Sequence, residues 1–87
     1  MEADWIDSFR EKLDRHYAWP SIYVFKFIVP AGKENEVKQL FPFHTAHEKS
    51  SKQGKYKSVT VEMMMQSADA VLDIYIRASE IEGIVAL

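Results

Sequence analysis

The clearest pattern in the chain is a strict alternation of side chains from Tyr56 to Met65. Successive side chains of a strand point to opposite faces of a sheet, so this segment is predicted to be a strand with one face in the core. The even-numbered residues are expected on the other, largely polar face, clear of any helix. The predicted core face consists of the odd-numbered residues Lys57, Val59, Val61, Met63 and Met65.

A second strand is predicted from Ser21 to Val29, where the residues are β-branched, aromatic and almost continuously apolar. Lys26 is the one charged residue in this run. Such a composition is typical of a central strand whose two faces are both at least partly covered. Trp19-Pro20 precedes the strand and Pro30-Ala31-Gly32 ends it.

Three amphipathic segments are predicted to be helices. The first runs from Trp5 to about His16 with Asp4 as its cap, and its apolar stripe predicts that it packs over the sheet edge, covers part of the open face or mediates assembly. The second is short, about Lys33 to Phe41, and is closed by Pro42. The third runs from Ala68 to about Glu80, is capped by Ser67, and is followed by Gly83 as a left-handed helix end.

Two weaker extended segments complete the pattern, one from Phe43 to Ser50 and one from Ile84 to Leu87. After the leading helix the order is strand, helix, strand, strand, helix, strand. Right-handed crossovers then give an α+β ferredoxin-like βαββαβ sandwich, with a four-stranded antiparallel sheet and two helices on one face. We expect residues 1–18 to form an extra N-terminal helix and residues 19–87 to form a single ACT-like domain.

The polar turn that enters the alternating strand carries a family resemblance. Its matching residues are Ser50-Ser51-Lys52, Gly54, Tyr56 and Ser58-Val59-Thr60-Val61, together with the segment Ile84 to Leu87. With Trp19-Pro20 leading into a strand that contains Lys26, the chain resembles the YbeD-like family of small bacterial proteins of unknown function. The resemblance implies a βαββαβ fold similar to the regulatory ACT domain and suggests a regulatory role, including a link to lipoate metabolism; no enzymatic activity or catalytic residue is established for the family. The chain differs from that family in a shorter first core helix and in Gln53, an extra residue of the turn.

Composition excludes several classes of protein. The chain has 87 residues, no cysteine and a net charge of -2, which argues against disulfide scaffolds, thiolate sites and a general attraction to nucleic acid. No apolar run approaches the roughly 18 residues of a membrane span, and the first ten residues lack the pattern of a signal peptide. We therefore expect a cytoplasmic protein with no membrane contact.

The sequence offers no group of residues that points to catalysis, a cofactor or a metal. His44 and His47 are three residues apart, which places them on opposite faces of a strand, and zinc pairs on helices favour a spacing of four. Gly54-Lys55 is not a phosphate-binding loop, because the earlier glycine of that motif is missing. We predict no catalytic residue, no cofactor and no metal site.

The predicted contact surface combines the open face of the sheet with the turn. Its candidate residues are Lys26, Lys52, Lys55, Tyr56, Ser58, Thr60 and Met64. The leading hypothesis is a non-enzymatic regulatory or binding module that contacts a protein partner or a second copy through the open face of the sheet or through an outer helix, with a small metabolite at a dimer interface as a secondary possibility.

Two alternatives stay open on the sequence. One is nucleic-acid binding through the lysine-rich hairpin, since His44 to Lys57 holds four lysines and one glutamate. The hairpin lysines also have a structural explanation, because charged residues protect sheet edges from pairing with other chains. The other alternative is a small enzyme whose site forms between subunits around His44 or His47. An RNA-recognition surface is disfavoured, because Ser58, Thr60 and Glu62 stand where stacking rings would be needed.

Overall fold

The structure is a computed structural model that describes residues 2–87, with side chains from Trp5 onward. Residues 2–87 form three helices and four strands, which follow one another in the predicted order. They are α1 (Glu2–His16), β1 (Ser21–Pro30), α2 (Glu34–Lys38), β2 (His47–Ser50), β3 (Tyr56–Met65), α3 (Ala68–Ala78) and β4 (Val85–Ala86). The Trp19–Pro20 peptide bond that leads into β1 is cis.

The four strands form one antiparallel sheet in the order β2-β3-β1-β4. Strands β1 and β3 pair along their whole length, from Ser21 opposite Met65 to Pro30 opposite Tyr56. The first and third strands are therefore central, as predicted. The α+β ferredoxin-like architecture and the extra N-terminal helix are confirmed.

The core lies between the sheet and the helices and is built from the odd-numbered residues of the central strands. Phe25, Phe27 and Val29 of β1 are almost completely buried, and so are Val59 and Val61 of β3. The period of two in the sequence therefore predicted the buried face of β3 correctly, with Met65 buried and Met63 and Lys57 partly exposed at intermediate positions.

Helix α1 packs beside α3 on the helix side of the sheet and leaves the opposite face uncovered. The rings of Phe9 and Tyr75 lie 5.3 Å apart, and Arg10 Nε donates to Asp69 Oδ1 at 2.7 Å. Leu13 is only 4% exposed. The helix begins at Glu2, so Asp4 lies inside it and does not cap its start, and the side chain of Asp4 is outside the described residues.

The predicted bounds of α2 and β2 were too generous. Helix α2 ends at Lys38, and Phe41 is buried from the turn that follows, because Pro42 prevents the helix from continuing. Strand β2 begins only at His47, and Phe43, in the turn before it, is 94% exposed. The segment after Pro42 is therefore a turn and not the start of a strand.

Helix α3 begins as predicted, since the Ser67 hydroxyl accepts from the Ala70 backbone N–H at 3.1 Å. The helix ends at Ala78, two residues earlier than expected. Gly83 has a φ of 78°, but it lies in the loop before β4, five residues beyond the helix end. A Cβ at this position would lie 2.7 Å from Pro30 Cγ, so the glycine also permits close packing of the loop on β1.

Within residues 2–87, no helix combines the length and the apolar character that crossing a membrane requires.

Candidate functional site: the open face of the sheet

The side of the sheet opposite the helices, here called the open face, is formed by alternate residues of all four strands. On the central strands, Ile22 lies opposite Met64, Val24 opposite Glu62 and Lys26 opposite Thr60, followed by the pairs Ile28–Ser58 and Pro30–Tyr56. Val85 of β4 lies beside Ile28, and His47 and Lys49 of β2 lie beside Thr60 and Ser58.

The open face exposes a large apolar surface. Ile22 is 59% exposed, and Val24, Met64, Tyr56 and Val85 are each about half exposed. The Leu87 amide donates to the Lys26 carbonyl at 2.9 Å, so Leu87, which is 63% exposed, lies at the edge of the sheet beside Lys26. Together these side chains expose on the order of 500 Å², the range in which apolar patches mark interaction sites.

The middle of the open face is polar and carries one charge of each sign. Lys26 and Glu62 are both exposed and lie diagonally across β1 and β3, two residues apart in register. Thr60 completes this group, which we call the polar centre (Lys26, Thr60 and Glu62). Apolar side chains flank the polar centre on both sides along the strands.

The residues predicted from the sequence fall into two places. Five of them lie on the open face: Lys26, Tyr56, Ser58, Thr60 and Met64. Lys52 and Lys55 lie in the exposed turn between β2 and β3, at one end of the sheet. Ile28, Lys49, Lys52 and Tyr56 are among the residues that line a shallow cavity of about 620 Å³ at this end.

Sequence reasoning missed the apolar half of the open face, above all Ile22, Val24 and Ile28. The signal was present in the continuous apolar run of β1, which predicted cover on both faces. The chain itself covers only one face, and Ile22 and Val24 stay exposed. Two residues that the prediction assigned to a covered surface, Ile22 and Val24, are therefore part of the uncovered one.

Four charged side chains at the hairpin end of the sheet neutralise one another on its helix side. Lys57 Nζ lies 3.5 Å from a carboxylate oxygen of Glu34 and 3.5 Å from one of Glu48, and Glu48 also pairs with Lys38. The ion pair with Glu34 raises the pKa of Lys57. Hydrogen bonding from Lys38 lowers the pKa of Glu48, and backbone N–H groups, including that of Gly32, lower the pKa of Glu34.

This pairing weakens the case for nucleic-acid binding. Of the four hairpin lysines, Lys57 is engaged by two carboxylates, and Glu62 adds negative charge to the open face. The aromatic residues of β1 point into the core, which leaves Tyr56 as the ring that the two central strands present on the open face. Single-stranded binding surfaces use several stacking rings within a positive groove.

The histidines lie apart from any candidate metal site. His44 is exposed in the turn after α2, and His47 is exposed on the edge strand β2. Among the residues that the structure describes, no three histidine or carboxylate side chains come together as metal ligands would.

A second cavity lies on the helix side of the sheet, between α1, the end of α3 and β4. This aromatic cleft has a volume of about 970 Å³. Five of its lining residues are aromatic: Trp5, Phe9, Tyr23, Phe27 and Tyr75. The hydroxyls of Tyr23 and Tyr75 are hydrogen-bonded to each other at 3.0 Å. Burial raises the pKa of both tyrosines, so both hydroxyls are protonated at neutral pH.

Comparison with known proteins supports the resemblance seen at the hairpin. A family model described as "Protein of unknown function (DUF493)" matches residues 14–87. No curated protein and no solved structure matches the chain. The match covers β1 to β4 entirely and the end of α1. The chain therefore belongs to the DUF493 family of proteins of unknown function, the YbeD-like family.

Proposed function

We propose that the protein is a non-enzymatic binding module of regulatory type that acts through protein–protein contact on the open face of its sheet. The observation that carries this proposal is the mismatch between strand β1 and its surroundings. Its sequence is apolar on both faces, yet the helices cover only one, and Ile22 and Val24 are about half exposed. A strand of this composition is normally covered on both sides, so the second cover comes from outside the chain.

The arrangement of the open face favours a second copy of the chain as that cover. In a twofold-symmetric interface each contact occurs twice: if residue i of one copy contacts residue j of the other, then j of the first copy contacts i of the second. A face that pairs with itself therefore needs an opposite charge at the position that each of its charges contacts. Lys26 and Glu62 meet this requirement. With the twofold axis midway between them, Lys26 of each copy lies over Glu62 of the other, and both ion pairs form at once.

The same axis also brings apolar residues together. On a flat sheet with ordinary spacings of about 3.3 Å along and 4.8 Å between strands, Val24 lies close to its own symmetry mate. Ile22 and Met64 then lie over Leu87 and Val85 of the second copy. The strands of the two copies cross at roughly 70°, which is close to the orthogonal class of sheet packing.

A non-enzymatic role is supported by the environment of the ionisable groups. The carboxylates with shifted pKa values, Glu34 and Glu48, lie in surface ion pairs and not in an enclosed site. The buried tyrosine hydroxyls hold each other, and burial moves their pKa values away from neutral pH. Catalytic acids and bases need pKa values near the working pH, in reach of a substrate.

The proposal is tested by replacing Val24, because its side chain is exposed in a single copy and near the axis in the proposed dimer. In V24K two ammonium groups would face each other, and we expect the dimer Kd to rise at least about tenfold. Sedimentation equilibrium of wild type and variant from low to high micromolar concentration measures this.

The matched control is I76K. Ile76 is a half-exposed apolar residue on α3, on the opposite side of the sheet, and its replacement should leave the dimer Kd unchanged. A wild-type chain that stays monomeric at high micromolar concentration would exclude the second copy as the occupant. Equal dimerisation of V24K and wild type would show that association uses another surface.

A further inference from the structure

The aromatic cleft and the open face lie on opposite sides of the sheet, and of the described residues only Leu87, at the sheet edge, borders both. Tyr23 and Phe27 of β1 and Tyr75 of α3 line the cleft. Trp5 and Phe9 of α1 also line it. The volume of about 970 Å³ is at the upper end of what small-molecule sites have, roughly 300–1,000 Å³.

The walls suit a flat, apolar ligand. The Phe9 and Tyr75 rings are 5.3 Å apart and tilted by 59°, and the Trp5 and Phe9 rings are 6.5 Å apart. Trp5 is 45% exposed, so part of the aromatic surface of α1 is open to a ligand. Aromatic rings pack favourably against another ring in tilted or offset arrangements at these separations.

The tyrosine pair supplies one hydrogen-bond donor to the cleft. Two phenol hydroxyls carry two protons, and the hydrogen bond between Tyr23 and Tyr75 uses one of them. Whichever hydroxyl accepts therefore still has its own proton to donate to a further acceptor. Tyr23 is only 8% exposed, so a ligand acceptor that reaches this pair is partly shielded from water. In such surroundings a hydrogen bond is electrostatically stronger than in water, so it separates ligands that have an acceptor from ligands that lack one.

The rim of the cleft sets the charge that a ligand can carry. Glu80 and Glu82 lie in the loop after α3 and line the cleft. The charged side chains among the described lining residues are these two carboxylates, so the cleft repels anions and offers them no cation. Carboxylates and phosphates are disfavoured by this arrangement, whereas neutral molecules are not.

We infer that the aromatic cleft is a binding site for a small, uncharged aromatic molecule that carries a hydrogen-bond acceptor such as a ketone. Its rings lie against Trp5, Phe9 and Tyr75, and its acceptor receives the remaining proton of the Tyr23–Tyr75 pair. This site needs only one copy of the chain and does not depend on the open face.

Three naphthalene probes test this inference, with Kd values measured from amide chemical shifts in titrations of the labelled full chain. They are 2-acetylnaphthalene, naphthalene and 2-naphthoate, which share the ring and differ in the acceptor and the charge. One hydrogen bond contributes about 0.5–1.5 kcal/mol, so the ketone should bind roughly 2- to 10-fold more tightly than naphthalene. The naphthoate should bind most weakly.

Two variants assign the contacts within the cleft. The Y23F/Y75F double variant removes both hydroxyls and keeps the rings, so the ketone should bind only as well as naphthalene does, with naphthalene unchanged. Removing both partners of a hydrogen bond costs little stability, so this variant should remain folded. W5A should weaken all three probes, while F43A, which removes a 94% exposed ring outside the cleft, should weaken none.

The results separate this inference from the proposed function. V24K should bind the probes as wild type does, whether or not the wild-type chain dimerises. Shift changes on the open face, equal binding of ketone and naphthoate, or a preference for the ketone that survives in Y23F/Y75F would overturn the inference.

Discussion

Lys57 places an ammonium group on the helix side of the sheet, at a position where the alternation of β3 otherwise puts core residues. The side chain is 30% exposed, and it lies at the hairpin end of the strand beside α2 and β2. Carboxylates of Glu34 and Glu48 stand 3.5 Å from its nitrogen. The charge is tolerated because the sheet end is open to water and because two neighbouring elements supply opposite charges.

Glu48 should make stability depend on pH in the acidic range. Its pKa is lowered in the folded chain, chiefly by the hydrogen bond from Lys38, so the folded state favours the ionised carboxylate. This stabilisation is present above the unfolded value of about 4.3 and is lost as the pH falls through the lower folded value. The urea midpoint of the wild type should therefore fall more steeply below about pH 4.5 than that of E48Q.

The control for this prediction is E82Q, which removes an exposed carboxylate from the loop before β4. Its midpoint should follow that of the wild type across the same pH range. If E48Q and wild type lose stability in parallel, the ion pairs at the hairpin end do not contribute to folding.

At the scale of elements, α1 is part of the folded core although the family match begins only at residue 14. Leu13 is almost completely buried, and the Phe9 ring packs against Tyr75 of α3. Arg10 joins the two helices through Asp69 and is itself held by Asp7 at 2.9 Å. The contact is therefore mainly apolar, with an exposed ion pair at its edge.

The L13A variant tests this packing. Truncating a buried leucine leaves a cavity and costs about 2–5 kcal/mol, and we expect the free energy of unfolding to fall by an amount in this range. Urea denaturation followed by circular dichroism measures it. K12A, an exposed neighbour on the same helix, should change stability by less than about 0.5 kcal/mol. Equal, small effects of both variants would show that α1 does not contribute to the core.

The sequence predicted some elements better than others for physical reasons. Strand β3 was placed to the residue, because ten alternating positions leave only one register that buries Val59 and Val61. Helix α2 was predicted too long, because Leu40 and Phe41 fit the apolar edge of a helix as well as they fit a turn. The apolar stripe of α1 predicted burial, but the packing partner α3 is more than 50 residues away and lies beyond local reasoning.

At the scale of the whole molecule, the sheet separates two surfaces of different character. The β3 residues of the open face followed from the alternation along β3, which assigned Ser58, Thr60 and Met64 to one side of the sheet. The aromatic cleft did not follow from the sequence, because Phe9, Tyr23 and Tyr75 belong to three elements that meet only in the folded chain. A local pattern predicts which face a residue occupies, but not which distant residues lie next to it.

Charge reversal on the open face provides a test of the proposed twofold contact. K26E leaves two acidic residues in the polar centre and E62K leaves two basic ones, so each variant alone should dimerise at least about tenfold more weakly than wild type. An equimolar mixture of the two should form heterodimers, because both cross pairs are then of opposite charge. Native mass spectrometry or sedimentation of the mixture detects this species.

The double variant K26E/E62K serves as the control, since it restores both cross pairs with their signs exchanged and should dimerise like the wild type. A mixture that associates no better than its components would rule out the reciprocal pairing of Lys26 and Glu62. The V24K variant would then still test whether two copies associate through another part of the open face.

Strand β1 has a consequence for how this protein can diverge from its relatives. Tyr23 and Val24 are adjacent in the chain, yet one borders the cleft and the other lies on the open face. A single substitution at either position can alter one surface and spare the other. Selection can therefore alter the proposed contact on the open face and the proposed ligand site in the cleft in separate steps, although one ten-residue strand contributes residues to both.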